Sequence, residues 1–366
     1  TLFGKNTAAG AMTLTSVAPS HTDTDGFVEV LAGSDSLLRV SAGASFSIID
    51  DVLAMRISGF KTNGDGYITD ASAGQSLNNK NRSAVKAQWL YTPADNVNVR
   101  IIADYGELNE RCCGALTWQN DFYDFTTSLS QAPISKMEDK GVSAQIDVAL
   151  SEQWSLVGIT AYRAFDSMDS VDIDFSDADL LMATNDAKQQ SLSQELRVHY
   201  KSEKIRGLVG VYYFSQNLDL TFSTTTQPEF DSFFRVAGAE LFPLANTIDG
   251  LSAVTGGMIA PSGEAAPTNT AFMHTANQEQ DSIALFAQTD WLLSDTITLT
   301  TGMRFTDEKK SIEGRYTEQG PSIEGLGTFE SWPNIGAAIS ALNDIGKALS
   351  TGTAISPTSL NALAPF

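Results

Sequence analysis

Gln190-Ser191-Leu192-Ser193-Gln194-Glu195-Leu196-Arg197-Val198-His199-Tyr200 is the stretch on which the reading of the whole chain rests. As an extended strand it places Leu192, Leu196, Val198 and Tyr200 on one face. Ser191, Ser193, Glu195, Arg197 and His199 fall on the other. A turn at Ser202-Glu203-Lys204 leads into a second strand-like stretch, Arg206 to Gln216, and the next connector then runs from about Leu218 to Gln278. Tight turns at one end of a sheet and long loops at the other mark a polarised environment. That pattern belongs to an antiparallel transmembrane β-barrel of the outer-membrane kind.

The two-residue period recurs outward from this stretch. Val142, Ala144, Ile146, Val148 and Leu150 alternate with Ser143, Gln145 and Asp147. Ile297, Leu299, Thr301, Met303 and Phe305 alternate with Thr296, Thr298, Thr300, Gly302 and Arg304. One face of each strand is therefore suited to lipid and the other to a polar interior. A soluble β-sandwich also alternates, but its strands are shorter and its loops are not sorted by length to one end. Tyr91, Tyr200 and Trp291 close strands just before short turns and Trp154 opens one just after, while Tyr105, Tyr162 and Phe305 lie toward the long loops. Two such bands are expected at the two membrane–water interfaces.

The chain has 366 residues, a formal net charge of −21 and a pI near 4.4. Acidity of this degree speaks against a nucleic-acid partner, which would require a basic stripe. No run approaches the ~18–20 consecutive apolar residues of a transmembrane helix, so a membrane reading rests on strands. The start, Thr1-Leu2-Phe3-Gly4-Lys5, lacks the basic and apolar regions of a secretory leader, which is expected to have been removed or to lie outside this stretch. Cys112 and Cys113 are adjacent and stand in a long connector, where two thiols or a bridge pinning a loop are both open. His21, His199 and His274 are scattered, and no zinc-type spacing is present. No cofactor is expected.

The strands read as 26–33, 37–49, 52–61, 83–91, 97–107, 140–150, 154–165, 190–200, 206–217, 281–292 and 296–307. The connectors 62–82, 108–139, 166–189, 218–280 and 308–366 are the long, extracellular ones. The turns Asp50-Asp51, Thr92–Asn96, Ser151–Gln153, Ser202–Lys204 and Leu293–Asp295 are periplasmic, and Gly33–Ser36 is a tight turn at the opposite end. Residues 335–349 read as a helix. Eleven strands is an odd number, and an open sheet exposes backbone groups that lipid cannot satisfy, so the chain is expected to stop before its barrel closes. The expected organisation is 1–19 as the end of a preceding domain and 20–366 as the barrel portion.

Two local motifs invite chemistry. Thr62-Asn63-Gly64-Asp65-Gly66-Tyr67-Ile68 resembles a calcium loop, but Lys61 and Ser72 stand where it needs an acid and a bidentate Glu, so it is rejected. Asp169, Asp172, Asp174, Asp177 and Asp179 form an acidic run, read first as a solvated loop face and second as a cation bridge to lipopolysaccharide phosphates. No nucleophile–base set and no phosphate-cradling loop is visible, so an enzyme is not expected.

The opening residues carry the most specific likeness. Thr1-Leu2-Phe3-Gly4-Lys5-Asn6-Thr7-Ala8-Ala9-Gly10-Ala11, running on into Met12–Val17, resembles the late plug motif of TonB-dependent outer-membrane receptors. Gly59-Phe60, Asp65-Gly66-Tyr67-Ile68, Glu110-Arg111-Cys112-Cys113, Gln194-Glu195-Leu196-Arg197 and Gly302-Met303-Arg304-Phe305-Thr306 are further, weaker matches. The resemblance implies a plug inside a barrel of twenty-two strands, of which this chain supplies the plug end, about eleven strands and the motif residues Gly4, Lys5, Asn6 and Gly10. It implies active import of a ferric siderophore or similar scarce nutrient across the outer membrane of a Gram-negative bacterium. The inner-membrane TonB complex would supply energy through an N-terminal part absent here, and lipopolysaccharide would surround the barrel. A passive porin-like channel and a soluble secreted β-rich adhesin are the alternatives. Which residues bind ligand is not legible at this level.

Overall fold

The structure, a computed structural model, describes residues 15–116, 123–237 and 268–320, with scattered single positions after 343. The motif residues Gly4, Lys5, Asn6 and Gly10, and nearly all of the helix read at 335–349, lie outside the described residues. Among the described residues the fold is one open antiparallel sheet of eleven strands and a small three-stranded sheet.

The large sheet contains β1 (Asp25–Ala32), β2 (Leu38–Ile49), β3 (Leu53–Gly64), then β6 (Lys80–Ala94) and β7 (Val97–Glu110). It continues through β9 (Ile134–Ala149), β10 (Trp154–Asp172), β11 (Leu181–Lys201), β12 (Ile205–Thr226), β13 (Ala271–Ser294) and β14 (Ile297–Gln319). Spatial order follows chain order throughout, a meander in which each strand pairs with the next. β1 and β14 are its two edges among the described residues. The small sheet is β4 (Ile68–Asp70), β5 (Gln75–Leu77) and β8 (Thr126–Thr127), and α1 (Phe230–Ala237) follows β12. No helix of the described residues is long and apolar enough to cross a membrane.

All eleven expected strands are present, and from β3 onward the long-loop ends of the large sheet's strands reach further than the alternation indicates. β11 has 21 residues, β12 22 and β13 24. The expected connector 166–189 shrinks to the segment between Asp172 and Leu181, and 218–280 to that between Thr226 and Ala271. Asp169 and Asp172 are thus strand residues rather than loop residues. At about 3.3 Å per residue β13 is ~80 Å long, far beyond an apolar band ~25 Å tall even when tilted. In a strand that crosses a bilayer, the requirement for apolar side chains on the outer face would end with that band. The amphipathic signal therefore stops while the hydrogen-bonded ladder continues.

The tight turns have local causes. Asp35 and Ser36 adopt φ of 54° and 53°, and Asp51 adopts 59°. Two-residue hairpin turns need this left-handed region, which short polar side chains tolerate. Gly33 N donates to Leu37 O at 2.9 Å and Val52 N to Ile49 O at 3.0 Å, closing those turns.

Register fixes the two faces. Leu53, Tyr91, Val99, Ile146, Gly158, Leu196, Val211, Leu285 and Phe305 pair in turn across the sheet and share one face. Leu196 is 46 %, Leu285 59 % and Phe305 70 % exposed, an apolar surface too continuous for water. The neighbouring row on the other face runs Ser45, Arg56, Gln88, Ile102, Ser143, Ala161, Ser193, Phe214, Ser282 and Glu308. Residues 15–21 lie on this second, inner face. Trp154 and Tyr162 stand on the outer face of β10, ~26 Å apart along the strand at about 3.3 Å per residue. At a strand tilt of about 35–45° this projects to ~19–22 Å, most of an apolar band ~25 Å tall, and Tyr200 packs beside Trp154 with ring centroids 4.8 Å apart.

Candidate functional site

The best-defined site is the inner wall of β3, β6 and β7, where the segment 15–21 rests on it. Extended chain offers backbone carbonyls, and the wall answers with donors. Gln88 Nε2 donates to Val17 O at 3.0 Å, and Arg100 Nη2 donates to Ser16 O at 3.1 Å and also to Gln88 Oε1. Lys86 Nζ donates to Ser16 Oγ at 3.2 Å. Farther along, Ser20 N donates to Ser45 Oγ at 3.3 Å, and His21 Nε2 lies 3.0 Å from Thr92 Oγ1. Gln88 is 1 % exposed, so its amide is fully committed to the segment and to Arg100. Lys86 and Gln88 share a face because they are two apart on one strand, and Arg100 reaches them from the next.

Charge on this wall is balanced by neighbours. Arg56, 7 % exposed, donates to Asp25 Oδ1 at 2.8 Å. Arg163 on β10 donates to Asp104 on β7 at 2.8 and 3.0 Å and to Asp139 on β9 at 2.7 Å. It crosses β9 over Gly141, where a Cβ would meet its Nη1 at 2.7 Å; glycine is what lets the guanidinium span three strands. A cavity of about 400 Å³ opens beside Ser16 and Val17, bordered by Arg39, Arg56, Lys86 and Asp104. Further round the wall the Arg304 guanidinium lies 5.6 Å from the Phe286 ring centroid and 5.9 Å from that of Tyr212.

The long-loop end is built separately. Ile68, Leu77 and Leu129 form a small buried core under β4, β5 and β8, with Leu116 and Phe175 against it. Asp70 accepts from Ser72 N at 3.0 Å and Leu129 N at 3.3 Å. Asp172 accepts from Ser130 N at 3.0 Å and Ser130 Oγ at 2.9 Å. Asp174 Oδ1 takes Ser176 N and Oγ. Asp174 thus folds its own loop, while Asp172 and Asp179, which accepts from Gln131 Nε2 at 3.3 Å, tie it to the segment before β9, and Asp177 is exposed. Glu110 of the Glu110–Cys113 run holds Arg82 at 2.7 and 2.8 Å and Asn81 N at 3.0 Å. The sulfurs of Cys112 and Cys113 lie at bonding distance in the segment after β7. Among the described residues no cluster of His, Cys, Asp and Glu is arranged to hold a metal ion.

The sequence-level candidates thus separate. Cys112 and Cys113 come to the long-loop end just past β7, away from Arg100 near that strand's start, and the motif Gly4–Gly10 lies outside the described residues. The anchors Lys86, Gln88 and Arg100 were not singled out in the sequence. The available signal was their parity: polar residues on the face opposite Trp89, Tyr91 and Val99.

No protein-family model matches the chain. Solved structures share its fold. The ferric yersiniabactin uptake receptor FyuA from Yersinia pestis aligns with a TM-score of 0.61 at 14 % identity, covering 83 % of this chain and 44 % of that one. The ferric-catecholate import receptor Fiu from E. coli K12 aligns with a TM-score of 0.55 at 11 % identity, covering 86 % and 48 %. The ferric citrate transporter FecA in its unliganded form aligns at 0.53 and 13 %, covering 83 % and 41 %. The chain spans less than half the length of each of these proteins.

Proposed function

We propose that this chain is part of a TonB-dependent receptor in the outer membrane of a Gram-negative bacterium: residues 1–19 end a plug domain, and 20–366 form the first half of the surrounding barrel with its extracellular loops. The receptor imports a ferric siderophore or a similarly scarce nutrient, and the TonB complex energises it through a part of the protein N-terminal to this chain. The observation that carries the reading is the segment 15–21, hydrogen-bonded across the inner wall through Lys86, Gln88 and Arg100. An irregular segment ahead of β1 that is held on the inner wall is what the end of a plug domain would supply on its way into the first barrel strand. A few such hydrogen bonds, each contributing about 1 kcal/mol net, make a seal firm at rest and separable under pull. The motif Gly4, Lys5, Asn6 and Gly10 would belong to the same plug domain. Cys112 and Cys113 would form a loop disulfide in the oxidising exterior. No catalytic role is assigned.

Uptake of radioactive iron chelates by cells expressing the parent receptor tests the proposal. Uptake is expected to cease when a protonophore collapses the proton-motive force or when TonB is deleted. Uptake that continues at the same rate would instead identify a passive pore. Release of the protein from outer membranes by carbonate washing would identify a soluble adhesin.

A further inference from the structure

The outer face of β11 is apolar through its membrane band with one break. Its outward residues are Tyr200, Val198, Leu196, Gln194 and Leu192. Three rows of paired residues pass through Val198, Leu196 and Gln194. In these rows the outer positions of β7, β9, β10, β12 and β13 are aliphatic, glycine or tyrosine, with Thr160 the sole exception. The Gln194 row reaches a charge at the edge strand β14, where Asp307 stands just past the apolar run that ends at Phe305. Gln194 is therefore an amide set among apolar neighbours on the surface that meets lipid. Its nearest polar neighbour on the same face of β11 is Gln190, four residues on and ~13 Å away at about 3.3 Å per residue.

The Gln194 side chain is exposed, and among the described residues it has no hydrogen-bond partner on the chain. Thr160 is paired with it on one side and Tyr213 on the other, but the Tyr213 hydroxyl donates to Asp281 Oδ1 at 3.2 Å. Hydrocarbon offers an amide nothing, and the side chain is too short to reach the interface. Polar groups at this depth are satisfied by protein. A cavity of about 490 Å³ opens on the same surface, bordered by Ala144, Gly158, Thr160, Gln194, Leu196 and Tyr213. Gly158 is not demanded by its own sheet: a Cβ there would meet only Leu196 Cδ1, at 3.9 Å, an ordinary contact. What the missing side chain does is keep the notch open toward the outside.

We propose that this face is a lateral interface at which a second copy of the parent receptor docks, with the Gln194 amides paired on a two-fold axis. Two copies inserted with the same side out are related by rotation about the membrane normal. That rotation sets Gln194 against Gln194 at equal depth. An amide both donates and accepts, so the pair completes itself without any other chemistry, as an isologous contact requires. The same rotation brings the notch on β10 opposite the second copy's β12, whose outer face carries Val211 and Tyr213. The inference rests on the outer-membrane barrel reading above and goes beyond it. It joins the lipid-facing walls of complete barrels and does not involve the edges β1 and β14.

The test is co-recovery of two differently tagged copies of the parent receptor, expressed together and extracted from outer membranes in mild detergent. Capture of one copy is expected to bring down the other. Gln194→Leu removes the amide and Gly158→Val fills the notch. Each should lower co-recovery on the order of tenfold, the effect of one hydrogen-bonded contact in a membrane. Thr289→Leu, which removes an outer-face hydroxyl on β13, should leave co-recovery unchanged. All are compared at equal amounts of heat-modifiable protein. No co-recovery of the native pair, unchanged co-recovery in Gln194→Leu, or an equal loss in Thr289→Leu would overturn the interface. Heat-modifiability itself reports the barrel, so failure of the barrel reading and failure of the dimer are told apart.

Discussion

Leu196→Arg is expected to strip most of the parent protein from the assembled fraction of the outer membrane, and Val148→Arg a smaller share. Both side chains stand on the outer face, Leu196 paired with Gly158 and Val211, and Val148 with Val97 and Leu156. A cation at the lipid-facing midplane, the level of Leu196, costs ~2–4 kcal/mol, which is about thirty- to several-hundred-fold in an assembly equilibrium; Val148, level with Leu156 and close to Trp154, lies nearer the interface, where the cost falls. Arg197→Leu and Gln145→Leu change the inner face by similar volume. Arg197 loses an ion pair with Glu195 and Gln145 a contact with Asp147, both local to one strand. These variants should assemble nearly as well as the native protein. The heat-modifiable fraction on gels reports all four. Equal losses in both pairs would mean that the alternation does not distinguish lipid from lumen.

The second large effect concerns the edges. β1 and β14 each have one neighbour among the described residues, and β14 alone runs 23 residues. An unpaired backbone group in hydrocarbon costs several kcal/mol. Even a few along one edge exceed a domain stability of ~5–15 kcal/mol. Expressed alone, the 366-residue chain is therefore expected to aggregate or to dimerise through its edges, as seen by light scattering in detergent. A monomeric, heat-modifiable form that conducts ions in planar bilayers would show that the barrel closes with the residues present.

The strands were legible where lipid dictates them. Leu192–Tyr200 and Ile297–Phe305 announce a strand, a face and a register because one side must be apolar and the other need not be. Beyond the apolar band that rule lapses. Thr184-Asn185-Asp186 and Asn217-Leu218-Asp219 look like loop, yet their backbones continue the ladder. The small sheet of β4, β5 and β8 escaped notice because strands of two or three residues carry no period, and β8 joins β4 only through contacts distant in sequence. The anchors Lys86, Gln88 and Arg100 are ordinary lumen-facing residues in the sequence. Their partners, Ser16 and Val17, lie about seventy to eighty-four positions away, and only folding brings them together.

The central claim is that long connectors face the exterior and short turns the periplasm, with residues 15–21 inside the wall between them. Cysteine labelling in intact cells tests it most directly, after Cys112 and Cys113 of the parent receptor are replaced by Ser. A membrane-impermeant maleimide should modify a cysteine at Asp177, in the loop between β10 and β11. It should leave one at Glu203, in the turn between β11 and β12, unmodified until the outer membrane is opened. Labelling of the Glu203 position alone in intact cells would invert the topology, and equal labelling of both would remove the membrane from the account.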